Sequence, residues 1–423
     1  MKKIASFAAI AMVAFNCNQL CGAEVEEYNG TAFPYTVTDE TVSKYNLSES
    51  TERVLTNYMD GYRPEENPLF TNFKYTKLEG LEYPDDATLS RRDPSKIIKI
   101  GDKYYMWYTR RHTKCAPIGA SNAAKCDDET PSTDWDLSEI WYATSYDGFK
   151  WEEQGVAVER PKKPMAGHRS VSTPDILVWK GKYYLYYQAF SEPSGLKGDY
   201  CPVSMSYSDS PDGPWTHYEG EVIPTGEPGA WNQFAIHDPF PLVHKGKIYI
   251  YYKSAFNRPD RLWVGNGLAT ADSPEGPFTH HPKNPVLASG HEVSVFPFKE
   301  GLAAIVTTDG LERNTIQYAE DWINFKISSI VELPPVAAAP YCADAFTNTT
   351  DGQGIEWGVC HSTAMGTSRP YHSEIIRFDC SLVQDVDEQV FQTTRPHPTP
   401  EMYLSQPLPS NIRKQRIEEA KSK

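Results

Sequence analysis

The sequence predicts an all-β protein, a five-bladed β-propeller preceded by an N-terminal helical extension. Aromatic residues make up 13% of the 423 residues, and 33 prolines and 27 glycines accompany them, a composition typical of β domains with many turns. A unit of roughly 50 to 80 residues also recurs five times along the chain. We therefore predict a signal peptide over 1–23, an extension over 24–80, a propeller over 81–385 and a Pro-rich, then charged tail over 386–423.

The first residues have the pattern of an export signal. The stretch MKKIASFAAIAMVAF joins two lysines to a short apolar run, and small residues at Cys21 and Ala23 fit cleavage by a signal peptidase. The run is too short to predict a membrane span. We expect an exported protein, periplasmic or extracellular; a lipid anchor on Cys17 or Cys21 is an alternative that the preceding residues disfavour.

The segment NLSESTERVLTNYMDGY predicts a capped amphipathic helix in the extension. Asn46 precedes Glu49 by three residues, as in a capping box. Apolar residues follow at helical spacing, namely Val54, Leu55, Tyr58 and Met59. The apolar face must be buried, either on the same chain's propeller or on a second subunit.

The repeated unit consists of a strand, a Tyr-rich strand, a strand with small residues, and a turn with Asp-Gly or Glu-Gly and an aromatic. Four strands per unit are typical of propeller blades, whose innermost strands line a central axis. The first residues of those strands surround one mouth of the channel. We place the starts of the five copies at Asp93, Pro174, Asp238, Glu292 and Asp344. An acid stands at or near each start, so we predict a ring of Asp93, Asp175, Asp238, Glu292 and Asp344.

Three of these acids have the surroundings of functional residues. Asp93, Asp238 and Glu292 stand in the polar contexts RRD, IHD and GHE, whereas Asp175 and Asp344 have the simpler interpretation of turn-capping residues. Glycoside cleavage needs one group that protonates the leaving oxygen, one that activates water or attacks carbon, and a third that tunes the acid. The trio of two aspartates and one glutamate therefore predicts a glycosidase.

Other side chains limit the choice of ligand. Tryptophans between the repeats could stack on sugar rings, although packing between blades is the simpler interpretation for Trp135, Trp141, Trp231 and Trp263. The net charge of -15 argues against nucleic acid as a partner.

Six cysteines remain after cleavage at Ala23: Cys115, Cys126, Cys201, Cys342, Cys360 and Cys380. An even number in an exported chain permits disulfides, and Cys115 with Cys126 is the pair that we predict. The absence of a C-x-x-C pair argues against a zinc or redox site built from cysteines.

Several sequence blocks in order resemble glycoside hydrolase family 117. They are RRDPSK, GKYYLYYQ, AIHDPF with GKIYIYYK, SGHE with FPFK, and NTIQYAEDWINF, and the resemblance runs from about Tyr45 through the last blade. Members are exo-acting α-1,3-(3,6-anhydro)-L-galactosidases, also called α-neoagarobiose hydrolases. The resemblance implies inverting release of 3,6-anhydro-L-galactose from the non-reducing end of neoagaro-oligosaccharides during agar degradation.

The resemblance also implies roles for individual residues. The family's base corresponds to Asp93 and its supporting acid to Asp238, while a histidine, here His291, has been proposed as the acid. Consecutive strand residues point to opposite faces, so His291 and Glu292 can share a pocket only if Gly290 permits a bulge, and the choice of acid stays open. Substrate contacts would fall on Arg92, Thr173, Gln188, His237 and Lys253.

We predict that no cofactor is required and assign no metal ligand. Family members can carry a divalent cation, Mg or Zn, near the propeller axis, held largely through water. The sequence shows no ligand cluster that demands such an ion.

The resemblance predicts a homodimer, because family members exchange a helical N-terminal element between subunits. Their motif there is Ser-x-Ala-x-x-Arg, and this chain has Ser48, Ser50 and Arg53, so one position differs.

Two further functions are alternatives. One is an arabinofuranosidase or xylosidase of family 43 type with Glu292 as the acid. The other is a sugar-binding propeller without turnover. The complete set of two aspartates and one glutamate argues against it.

Overall fold

The computed structural model describes residues 46–55, 69, 71–83, 87–196, 199–257, 262–342, 352–363 and 373–383. These residues form five antiparallel blades around one axis, so the predicted all-β five-bladed propeller is confirmed. Within them lie one α-helix, α1 (Glu49–Leu55), and one 3-10 helix over Ala120–Lys125. No helix among the described residues is long and apolar enough to cross a membrane.

The first strand along the chain is β1 (Lys74–Lys77), which belongs to the last blade. Blade 1 contains β2 (Leu89–Arg92), β3 (Ile98–Ile100), β4 (Lys103–His112), β5 (Glu139–Ser145) and β6 (Glu152–Val158). Blade 2 contains β7 (Ser170–Trp179), β8 (Lys182–Phe190), β9 (Val203–Ser208) and β10 (Thr216–His217). Blade 3 contains β11 (His237–His244), β12 (Lys247–Asn257), β13 (Leu262–Ala271) and β14 (Thr279–His280).

Blade 4 contains β15 (Ser294–Lys299), β16 (Gly301–Val306), β17 (Thr315–Ala319) and β18 (Lys326–Ile330). Blade 5 contains β19 (Val336–Pro340), β20 (Gly352–Thr363), β21 (Ser373–Val383) and β1 as its outermost strand. Because β1 comes from the N-terminal side of the chain, its pairing with β21 closes the ring. The propeller thus includes residues that the predicted boundary at 80 assigned to the extension.

The Tyr-rich second strands bury both of their faces. On β4, Tyr105 and Trp107 pack in the cluster shared with blade 2, while Met106 and Tyr108 pack in the cluster shared with blade 5. This alternation follows from the two-residue period of a strand. Each fully buried large apolar side chain contributes about 1.5–3 kcal/mol, so the blade interfaces are the core of the molecule.

One backbone feature repeats at the start of every innermost strand. The residue there has a left-handed conformation in all five blades, with φ angles of 47° at Asp93, 50° at Thr173, 51° at Asp238, 54° at Glu292 and 50° at Ala337. In blades 2, 3 and 5 this residue lies within a shift of the strand register. Such a conformation is uncommon for residues other than glycine, and strain of this kind is concentrated at functional sites.

This repeat corrects the predicted ring at two positions. In blade 2 the ring position belongs to Thr173, and Asp175 lies two residues further along β7. In blade 5 it belongs to Ala337 on β19, whereas Asp344 lies outside the described residues. The proline that follows Asp93 and Asp238 also follows Thr173 but not Asp175, so the proline marks the ring position in blade 2 better than the acid does.

Helix α1 packs on the propeller beside the segment that leads into blade 4. The N-cap is Ser48 rather than the predicted Asn46, because Ser48 Oγ accepts a hydrogen bond from Thr51 N at 3.2 Å. Ser48 Oγ also donates to Pro285 O at 2.7 Å, and Ala288 N donates to Ser50 Oγ at 2.9 Å. Ser50, which stands where the family motif has alanine, therefore makes a hydrogen bond to the propeller.

The later part of the predicted helix, including Tyr58 and Met59, lies outside the described residues, as do the signal peptide and the C-terminal tail. Cys115 and Cys126 are free thiols, so the predicted disulfide is wrong for this structure.

Candidate active site

The carboxylate of Asp93 is held by donors on one of its two oxygens. Its Oδ2 accepts hydrogen bonds from Arg92 Nε at 2.7 Å, Thr173 Oγ1 at 3.3 Å and Thr109 Oγ1 at 3.4 Å. Its Oδ1 is buried without a hydrogen-bond donor and lies 3.0 Å from Nδ1 of His361. Burial alone would disfavour the charge, but Arg92 and His361 outweigh it and hold the pKa of Asp93 well below its usual range. Asp93 is therefore ionised, and Oδ1 is the oxygen that Arg92 and the two threonines leave without a hydrogen bond.

Arg92 connects the two acids of blades 1 and 4. Besides its contact with Asp93, its second terminal nitrogen lies 3.2 Å from Glu292 Oε1, and its guanidinium lies over the ring of Trp135 at 4.8 Å. Although burial opposes its charge, Asp93 and Glu292 raise the pKa of Arg92. The arginine is thus a fixed positive charge that binds both carboxylates.

Of the four tryptophans considered above, Trp135 is the one found in contact with a predicted site residue. Trp141 lies against Arg110 at 3.8 Å, and Trp231 stacks on Tyr252 at 5.9 Å within the core. The side chain of Trp263 is outside the described part of the chain.

Asp238 forms an ion pair on the blade 3 side of the ring. Its Oδ2 lies 2.8 Å from Lys253 Nζ, and its backbone N donates to Gln188 Oε1 at 3.3 Å. Burial opposes its charge, but Lys253 and His291 lower the pKa of Asp238. The neighbouring His237 bonds the carbonyl oxygen of Asp199 through Nε2 at 2.8 Å, which ties it to a loop. Of the predicted contact residues here, Lys253 binds the carboxylate of Asp238, and Gln188 binds its backbone N–H.

His291 and Glu292 both approach the ring because they precede the regular strand. Gly290 has a φ of 96° and Glu292 a φ of 54°, and β15 begins only at Ser294. His291 Nε2 lies 4.0 Å from Glu292 Oε1. His291 and Glu292 therefore do not alternate between opposite faces as consecutive strand residues would. Gly290 provides the turn.

Both ring nitrogens of His291 have partners. Nδ1 lies 2.7 Å from Asp309 Oδ2, and Nε2 lies 2.6 Å from Lys253 Nζ. Burial and Lys253 lower its pKa, but the hydrogen bond to Asp309 and the charge of Glu292 outweigh them, so the pKa of His291 is raised. Asp309, which follows β16 in the turn TTDG, is a site residue that was not predicted from the sequence.

The separation of the carboxylates bears on the identity of the acid. One oxygen of Asp93 and one of Glu292 lie within 4.8 Å of each other. Inverting glycosidases need about 6.5–9.5 Å between their two groups, so that water fits, whereas about 5–5.5 Å is typical of retaining pairs. Glu292 is therefore poorly placed as the acid of an inverting pair with Asp93.

A third ligand-bearing side chain, His361 on β20, completes a candidate cation site with Asp93 and Glu292. One ligand atom from each of the three lies within 4.8 Å of the other two. The buried Asp93 Oδ1, which lacks a hydrogen-bond donor, fits a bound cation. The mixture of imidazole and carboxylate is typical of zinc more than of magnesium, which prefers oxygen ligands. This cluster was not predicted from the sequence, because His361 comes from a different blade; that no cofactor is required stays a prediction.

A small cavity of about 30 Å³ is lined by the five ring residues, Asp93, Thr173, Asp238, Glu292 and Ala337, together with neighbouring residues of their strands. That volume holds about one water molecule or a single ion. On the next layer Asp175 pairs with the buried Lys96 at 2.5 Å, and Lys96 Nζ also donates to the carbonyls of Ile176 and Pro241, each at 2.9 Å. Asp175 therefore makes a buried structural contact.

Comparison with known proteins places these observations among glycoside hydrolases. The family model for glycosyl hydrolases family 43 matches residues 89–266. The structure of Zg3597, a family 117 glycoside hydrolase from the marine bacterium Zobellia galactanivorans, is 58% identical in sequence with a TM-score of 0.74; the match covers 81% of this chain and 100% of that one.

More distant structures share the fold alone. The structure of a BT0996 complex is 12% identical with a TM-score of 0.55, and the match covers 77% of this chain and 96% of that one. A protein described as a glycoside hydrolase is 13% identical with a TM-score of 0.54, covering 86% and 99% of the two chains. No curated protein matches the chain.

Proposed function

The chain belongs to glycoside hydrolase family 117, and from this membership we propose that it removes 3,6-anhydro-L-galactose from the non-reducing end of neoagaro-oligosaccharides. The proposed reaction breaks the α-1,3 bond with inversion and serves agar degradation. The observation that best supports it is that Arg92 contacts both Asp93 and Glu292, and that Glu292 Oε1 lies 4.0 Å from His291 Nε2.

In the proposed mechanism, Asp93 Oδ1 takes a proton from water while the water oxygen bonds to the anomeric carbon. His291 Nε2–H gives its proton to the leaving oxygen as the carbon–oxygen bond breaks. The ion pair of Asp238 with Lys253 sets the charge beside His291, and Arg92, Thr173 and Gln188 supply polar groups for sugar hydroxyls. When bound, a divalent cation held by Asp93, Glu292 and His361 would supply positive charge next to the two carboxylates. It would occupy Asp93 Oδ1, the atom that serves as the base, so the proposed step needs that atom free of metal.

A second candidate is a pentosidase of family 43 type, with Glu292 as the acid. The match of the family 43 model to residues 89–266 favours it. The short separation of Asp93 and Glu292 and the higher similarity to a family 117 protein argue against it.

Incubation of the purified protein with neoagarobiose, followed by chromatography, tests the proposal. We expect 3,6-anhydro-L-galactose and galactose as products, with an Asp93→Asn variant as the inactive control. Arabinose or xylose released from pentosides, with neoagarobiose intact, would favour the second candidate. Tight binding of oligosaccharide with no product over days would indicate a sugar-binding propeller.

We also propose that the protein is exported to the periplasm or beyond, and that α1 contributes to a homodimer. The contacts of α1 with Pro285 and Ala288 could be made by the same helix of a second subunit. Deletion of residues through Tyr62 should then convert a dimer into a monomer or an insoluble product, as measured by light scattering. An unchanged soluble oligomer would exclude the helix as the interface.

A further inference from the structure

The two hydrogen bonds of the His291 ring select a single tautomer. A lysine ammonium has donors only, so at a separation of 2.6 Å from Lys253 Nζ the Nε2 atom of His291 must accept. The other nitrogen then carries the hydrogen and donates it to Asp309 Oδ2 at 2.7 Å. Two independent contacts thus agree on a ring with hydrogen at Nδ1.

The backbone around Asp309 is fixed relative to that of His291. Gly290 N donates to Asp309 O at 2.8 Å, and His291 N donates to Thr307 O at 3.0 Å. Asp309 N donates to the same carbonyl at 2.9 Å. The turn that carries Asp309 and the turn that carries His291 are therefore joined by backbone hydrogen bonds, which keep the carboxylate next to Nδ1.

We propose that Asp309 is the positioning residue that orients His291 for proton donation, and that Lys253 occupies, without substrate, the place on Nε2 that the leaving oxygen takes. The inference deepens the proposed function and rests on it. When Lys253 leaves Nε2, that nitrogen takes up one proton from solvent, and the acid form of the ring then carries hydrogen on both nitrogens. The Nε2 proton passes to the glycosidic oxygen as the carbon–oxygen bond breaks, and the neutral ring keeps its Nδ1 hydrogen bond to Asp309.

The exposure of this pair favours an orienting role over a purely structural one. The side chains of His291 and Asp309 are 39% and 44% exposed, so their contact contributes little to the stability of the fold. A carboxylate on the far nitrogen of an imidazole fixes the tautomer and stabilises the imidazolium, as it does in serine proteases. The effect of Asp309 should therefore appear in the chemical step rather than in folding.

The first test compares Asp309→Asn with wild type in the full chain. We expect kcat on neoagarobiose to fall about 100-fold, and kcat on an aryl 3,6-anhydro-α-L-galactoside to fall less than about fivefold, since a good leaving group needs little acid catalysis. Asp309→Glu should recover part of the loss. The matched control is Asp272→Asn, which removes an 83% exposed carboxylate paired with Lys247 and should change neither rate. Equal losses on both substrates, or no loss on either, would overturn the proposal.

A second measurement needs no substrate. In the nitrogen-15 NMR spectrum of histidine-labelled wild type, with the His291 signals assigned by their loss in His291→Gln, we expect the hydrogen on Nδ1. In Asp309→Asn the tautomer populations should change, because an amide can donate as well as accept. A ring with its hydrogen on Nε2 in the wild type would overturn the proposal whatever the activity. If the hydrogen is on Nδ1 but no sugar is released from neoagarobiose, the orientation by Asp309 stands and the proposed reaction fails.

Discussion

The Asp93 side and the His291 side of the ring differ in how tightly the protein holds them. The Asp93 side chain is 1% exposed and one of its oxygens accepts hydrogen bonds from three residues, whereas the His291 side chain is 39% exposed and bound by Asp309 and Lys253. A buried base with fixed donors is preorganised to bind and activate one water molecule. An open proton donor suits a leaving group that continues into solvent, as the reducing-end part of an oligosaccharide does.

Removing the base should have the largest effect and should erase the difference between substrates. We expect Asp93→Asn to lower kcat at least about 1000-fold on both neoagarobiose and an aryl anhydrogalactoside, because activation of water is needed whichever group leaves. The measurement is initial rates on the two substrates. Near-normal cleavage of the aryl substrate would show that another group activates the water.

Removing the acid should increase the difference in rate between the two substrates. We expect His291→Gln to lower kcat on neoagarobiose about 100- to 1000-fold and to leave much of the activity on the aryl substrate, because only a sugar alkoxide needs the proton. Glu292→Gln serves as the comparison in the same assay. If Glu292→Gln shows the selective pattern and His291→Gln does not, the acid is Glu292 and the histidine only orients it.

Removing one hydrogen bond to the base should lower kcat less than removing the base or the acid. Thr173→Val keeps the shape of the side chain but removes one donor to Asp93 Oδ2, and we expect kcat to fall about tenfold on both substrates. Thr216→Val, on the outer strand β10, is the matched control. A loss confined to neoagarobiose would place Thr173 with the acid rather than the base.

The layer beneath the ring should affect stability rather than chemistry. Lys96→Met removes the ammonium that pairs with Asp175 and leaves this buried carboxylate with backbone donors, so we expect the free energy of unfolding to fall by about 3–5 kcal/mol. The folded fraction should keep kcat within about twofold. Urea unfolding and active-site-normalised rates measure the two quantities, with the surface variant Lys247→Met as the control. A tenfold loss of kcat in folded protein would show that the floor takes part in the reaction.

The sequence was sufficient for the fold and for half of the site, for a physical reason. Repeats of four strands predict blades, and the polar contexts of Asp93, Asp238 and Glu292 mark three ring positions, because those signals are local. Asp309 reaches the site from the turn after β16 and His361 from β20, and their contacts arise only when the chain is folded. Whether Thr173 or Asp175 occupies the ring position of blade 2 depends on which residue has the left-handed backbone conformation. The proline after Thr173 was the one local feature of the sequence that indicated it.

The anomeric configuration of the first product tests the central claim most directly. One oxygen of Asp93 and one of Glu292 lie within 4.8 Å of each other, closer than an inverting pair requires, whereas the proposed pair of Asp93 and His291 would hydrolyse with inversion. Proton NMR of neoagarobiose in the first turnovers, before the released sugar equilibrates, distinguishes them. We predict that the β form of 3,6-anhydro-L-galactose appears first from the α-linked substrate. Initial appearance of the α form would contradict the account and assign Glu292 to the catalytic pair.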